Sequence, residues 1–93
     1  MTQVKAKFSL RRVVATLGAV SALEGAQESA LGYLYRHAAG DWGNLGPYDC
    51  SVNERALRYG NRILSFYEAA GIQLYIITAW DRSVTTILLR EEY

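Results

Sequence analysis

Three apolar runs in the last third of the chain limit the fold most. They cover residues 62–68, 72–79 and 84–90. The first break is the short turn Ala69-Ala70-Gly71 and the second is Trp80-Asp81-Arg82-Ser83. Connections this short join antiparallel strands, so the three runs predict a meander. Within the middle run Ile72, Leu74 and Ile76 point one way and Gln73, Tyr75 and Ile77 the other. The first set marks the main core. The second set is partly apolar and carries an aromatic, as expected of a half-covered or contacting surface.

Upstream, Phe8, Leu10 and Val14 share one strand parity, which places a first strand at a sheet edge. Thr16 is a candidate N-cap for a short helix from Leu17 to about Gly25, with Val20 and Leu23 inward. Ser29 precedes a second helix, Ala30 to Ala39, with Leu31, Leu34, Tyr35 and Ala38 on one stripe. Gly40 stands where a left-handed C-terminal residue is wanted. A glycine-rich loop, GDWGNLG, leads to Pro47 at the first turn of a third helix that ends at Tyr59-Gly60. Val52, Ala56 and Tyr59 fall on one side of it, widened by Leu57. The order is β-α-α-α-β-β-β. It predicts one α+β domain over residues 1–93, a four-stranded mainly antiparallel sheet with three helices on one face. Leu31, Leu34, Val52, Leu64, Ile76 and Leu88 are the expected buried set.

Ninety-three residues bury roughly 60–65% of their unfolded surface, enough for one modest core. A hydrophobic fraction of 51% with 20% charged residues fits a globular chain. The net charge of +1 argues against a strongly basic nucleic-acid binder and against a wholesale acidic mimic of DNA. One cysteine, Cys50, forms no internal disulfide and is compatible with a reducing cytosol. No secretory leader or membrane span is read, so the expected location is cytoplasmic.

Few residues point to chemistry. One histidine, His37, and one cysteine on different helices match no zinc spacing. A phosphate-binding loop, a nucleophile elbow and paired histidines are all missing. The expectation is no catalytic residue, no metal and no cofactor. The candidate contact residues lie in connections and on strands. Trp80, Asp81 and Arg82 form the hairpin tip, Asp41 and Trp42 sit in the glycine-bounded loop, and Tyr67 and Tyr75 are read as neighbours on the face away from the main core. Trp, Tyr and Arg are enriched in binding hot spots. Each group also has an ordinary structural account: a side-chain-stabilised turn, a tryptophan folded onto the core, and a cross-strand aromatic pair.

The TLGA helix start, the GDWGNL loop, the NERALRYGNRILSFY segment and the ITAWDRSVTTILLREEY tail together resemble a family of small proteins. These are encoded on bacterial plasmids, prophages and integrated elements. The likeness covers nearly the whole chain. It departs at Leu17 and Arg90, where similar sequences often carry proline. It transfers no catalytic residue. What it implies is a cargo gene of a mobile element. The expected function is therefore a non-enzymatic protein that binds a protein or ribonucleoprotein complex and inhibits it sterically, as an anti-CRISPR protein does. Asp41, Asp49 and Glu54 offer a local acidic patch for a basic groove. Direct nucleic-acid binding and membrane binding are disfavoured. The alternative reading is a toxin-like protein, because the element order resembles that of ribosome-dependent mRNA-cleaving toxins. A small homodimeric regulator is a third.

Overall fold

Ala70 and Gly71 both take left-handed backbone angles, φ 53° and 79°, which close a two-residue hairpin between β2 (Ile63–Ala69) and β3 (Ile72–Thr78). The second hairpin joins β3 to β4 (Val84–Leu89) across the Trp80–Ser83 tip. The computed structural model describes residues 5–93. Its short first strand, β1 (Arg12–Ala15), pairs in parallel with β4, so the sheet runs β1-β4-β3-β2 and is mainly antiparallel. Three helices cross between β1 and β2: α1 (Leu17–Gly25), α2 (Ala30–Ala38) and α3 (Pro47–Tyr59). A 3₁₀ turn, Arg90–Glu92, follows β4. This is the α+β order and architecture expected from the sequence.

The helix boundaries follow their signals. Thr16 Oγ1 accepts from the Ala19 amide at 3.0 Å and caps α1. Pro47 opens α3, and Gly60, at φ 77°, ends it. Ser29 stands at the N-cap of α2 but its side chain makes no capping bond.

All three helices pack on one face of the sheet. One cluster joins Ala19 and Leu23 of α1 and Leu34 of α2 to Tyr67, Leu74, Ile76 and Ile87. A second joins Trp42, Ala56 of α3 and Ile63. Of the expected core, Leu34 and Ile76 are buried beneath the helices and Leu88 on the opposite sheet face, where Leu64 is only half-buried. Leu31 and Val52 are corrected: they are 54% and 40% exposed. Tyr35, Tyr59 and Val20 are also turned outward. The reason is polar. In α2 the inward stripe includes His37, and in α3 it includes Asn53, because both find complete hydrogen-bond partners on the sheet. Each polar residue rotates its helix away from the purely apolar stripe.

Asn53 belongs to a seal along the outer edge of β2. Its Oδ1 accepts from Leu64 N at 3.1 Å and its Nδ2 donates to Leu64 O at 2.6 Å. Further along, Phe66 N donates to Trp42 O, Asn44 N donates to Phe66 O, and Glu68 N donates to Asn44 Oδ1. The loop between α2 and α3 thus runs as a pseudo-strand beside β2, bridged at Gly43 and Phe66. Only glycine fits at position 43. Its φ is 74°, and a Cβ there would collide with the Phe66 carbonyl and the Tyr67 ring.

Candidate functional site

The helices use one parity of each strand, and among the described residues no further layer of helix or sheet covers the other parity. Ile77 lies opposite Leu64 on β2 and Thr86 on β4, and Tyr75 lies opposite Phe66 and Leu88. Val14 of β1 continues the first row beside Thr86, and Arg12 pairs with Val84. Two rows, apolar apart from Thr86, therefore cross the helix-free face. Most of their side chains are half-buried by one another, and Leu88 is 9% exposed.

Aromatic rings and arginines organise one side of this face. Phe66 and Tyr75 meet edge to face at 5.3 Å, and Tyr75 and Tyr93 do so at 5.2 Å. The Arg90 guanidinium lies 5.5 Å over the Phe66 ring, and Arg62 lies 5.6 Å over Tyr93 and donates to its hydroxyl. The tail is tied down by Glu92, whose Oε1 accepts from Thr16 Oγ1 at 2.6 Å and from Leu89 N at 2.8 Å. Those two bonds, that from Thr16 first, lower the Glu92 pKa. On β2, Glu68 accepts from Gln73 Nε2 at 3.0 Å.

The other polar groups are engaged inside the molecule. His37 is fully buried, with Nδ1 2.5 Å from Ser65 Oγ and Nε2 2.9 Å from Thr78 Oγ1. Thr78 Oγ1 lies 2.8 Å from Thr85 Oγ1, which donates to the Leu10 carbonyl at 2.9 Å. Burial pushes the His37 pKa down to about 4, so the ring is neutral at pH 7. Cys50 is elsewhere, in the second cluster, with Sγ 3.7 Å from Leu45 O. No group of three metal-binding side chains converges among the described residues.

The residues singled out in the sequence separate into distinct places. Trp80 is 70% exposed at the hairpin tip. Asp81 is also exposed and accepts from Ser83 N and Ser83 Oγ, bonds that lower its pKa. Arg82 is half-buried and its guanidinium turns inward. It donates to the carbonyls of Ala56 at 2.8 Å, Asn61 at 2.6 Å, and Ala79 and Trp80 at 3.1 Å, and so pins the tip to the end of α3.

Asp41 pairs with Arg36 at 2.8 Å, which lowers its pKa, and accepts from Gly43 N. Trp42 is 5% exposed and donates to Glu54 at 2.9 Å, so Asp41 and Glu54 of the expected acidic patch are both engaged locally. The placement of Tyr67 is corrected. It lies in the helix-side core, 1% exposed, and donates to Asp41 O at 2.6 Å. Its hydroxyl pKa is pushed up to about 12, chiefly by burial. The ring beside Tyr75 is Phe66.

Of the seven residues, only Tyr75 lies on the helix-free face. Phe66, Leu64, Leu88, Arg62 and Arg90 complete it, and sequence reasoning did not single them out as contacts. A signal was present: Leu64 and Phe66 alternate with Ile63, Ser65 and Tyr67, so the strand is apolar on both faces. Comparison of the chain with family models, with characterised proteins and with solved structures gives no match.

Proposed function

We propose that this protein is a non-catalytic binding module that acts by occupying a surface of a larger partner. In the mobile-element setting that its resemblance implies, the concrete form is a steric inhibitor of a host defence complex. The observation that carries the reading is the helix-free sheet face: an apolar centre edged by arginines, on a sheet whose other face already holds the core. The polar cluster of His37, Ser65, Thr78 and Thr85 is sealed from solvent and offers a substrate no access.

The test is the plating of a targeted phage on strains that each carry one active defence system, with and without the protein. Restored plating in one strain, lost with Tyr75→Ser in a protein that still melts cooperatively, supports the reading. No restoration in any strain, with ribosomes copurifying and messenger RNA cleaved, would move the assignment to the toxin-like alternative.

A further inference from the structure

We infer that the helix-free sheet face is shaped for one amphipathic segment of a protein partner, with an apolar ridge flanked by carboxylates. This rests on the binding-module reading and names the chemistry of the partner. The size of the face comes first. Four strands about 4.8 Å apart and two side-chain rows about 6.7 Å apart make a band of roughly 19 by 13 Å. That is on the order of 250 Å² in plan, well below the ~800 Å² that each partner buries in a standard interface. The band matches the width of a single helix, about 10–12 Å, or of one extended segment.

Charge selects the flanks. Arg12 stands beside Val84 at one border, Arg62 precedes Leu64 on the same parity, and Arg90 follows Leu88 on the same parity. All three are exposed. The nearby carboxylates are engaged within the protein, Glu68 by Gln73 and Glu92 by Thr16 and the Leu89 amide. A second copy of this chain would bring the same arginines against themselves, which opposes self-docking. Single-stranded nucleic acid fits less well. The middle of the band is mainly aliphatic, with Val14, Leu64, Ile77, Val84 and Leu88 around Thr86, and gives bases no stacking plane. The Phe66 and Tyr75 rings meet edge to face, and Arg90 covers Phe66.

The experiment places the photo-crosslinker p-benzoylphenylalanine at Gln73 in one full-length protein and at Trp80 in another, each irradiated in the bacterial host. From Gln73 the expected product is a discrete protein adduct whose attachment site maps to apolar residues flanked by Asp or Glu. Its yield should fall at least tenfold when Arg62→Glu and Arg90→Glu are combined. If that double variant does not fold, Arg62→Gln with Arg90→Gln should still lower the yield about threefold. In vitro the unmodified protein should sediment as a monomer and leave a labelled 15-residue oligothymidylate unbound.

A Gln73 adduct indifferent to charge reversal, or one formed with nucleic acid or with a second copy, overturns the inference. Crosslinking from Trp80 alone overturns it as well but leaves the binding-module reading standing. Absence of adducts from both positions removes both.

Discussion

The proton positions around His37 follow from the far end of its hydrogen-bond chain. The Leu10 carbonyl only accepts, so the Thr85 hydroxyl donates to it. Thr85 then has no hydrogen left for Thr78, so Thr78 donates to Thr85. Thr78 must therefore accept from His37, which puts the ring proton on Nε2 and leaves Nδ1 to accept from Ser65. A second proton on Nδ1 would meet a hydroxyl that is already donating there, and burial penalises the charge besides. The folded pKa of about 4 lies below the ordinary 6.5. Between those values the unfolded chain binds more protons than the folded one, so stability falls as the pH falls. Stability is unaffected by this group above about pH 6.5 and declines through the window, and the loss reaches about 3 kcal/mol once the pH is below the folded pKa. The carboxylates of Asp41, Asp81 and Glu92, whose pKa values are lowered, act in a more acidic range. Urea titrations at pH 7.5, 5.5 and 4.5 should show this loss, and His37→Gln should flatten it while lowering stability at pH 7.5. An equally steep decline in the variant would place its origin in other groups. Nitrogen NMR of the imidazole should find Nε2 protonated and Nδ1 bare at neutral pH.

Among the elements, the two connections that carry tryptophan have different tasks from those their composition advertised. The loop between α2 and α3 seals the β2 edge, together with Asn53. Asn53→Ala leaves the Leu64 amide and carbonyl without partners in a half-buried setting and should cost about 2–3 kcal/mol. Gly43→Ala should cost about 3 kcal/mol or more, since its Cβ meets backbone that cannot move independently. Denaturant midpoints for both variants check these values; a near-neutral Gly43→Ala would mean that the loop can leave the strand edge. At the hairpin tip, Arg82→Ala removes bonds to the end of α3 and should cost about 2 kcal/mol. Trp80→Ala, at a 70% exposed site, should change stability by less than about 0.5 kcal/mol. Helix ends and hairpin turns were legible because local rules govern them: Pro47 at a helix start, Gly60 at an end, Ala70-Gly71 in a tight turn. The inward direction of Arg82 was not legible. It depends on α3 ending beside a tip more than twenty residues later, and no local pattern encodes that approach.

At the scale of the whole molecule, the sheet has one face committed to the helices and one that no helix or second sheet covers among the described residues. The alternation in β3 showed both faces in the sequence, and the structure keeps that division, with Leu74, Ile76 and Thr78 buried and Tyr75 and Ile77 half-buried. The assignment of β2 to those faces was less legible. Tyr67 and Phe66 are both large aromatics, and choosing which turns inward requires knowing that the Tyr67 hydroxyl reaches the Asp41 carbonyl. The helix stripes were misread for a related reason: periodicity counts apolar residues, whereas His37 and Asn53 are buried because their polar groups are satisfied on the sheet. The last prediction compares adjacent residues of one strand. Ile76 is fully buried, so Ile76→Ala should cost about 3 kcal/mol. For a domain of this size that lowers the melting temperature by roughly 15 °C. Ile77 lies at the centre of the helix-free face, where neighbouring side chains cover only part of it. Ile77→Thr keeps the β-branched shape suited to a strand and should cost about 1 kcal/mol or less. The same change removes the central aliphatic side chain and sets a second hydroxyl beside that of Thr86, so partner binding should weaken at least tenfold while the protein melts as one cooperative unit. Melting curves beside binding isotherms for the two variants decide the matter. If Ile77→Thr destabilises as much as Ile76→Ala, the helix-free face is a second core and the docking surface must lie elsewhere.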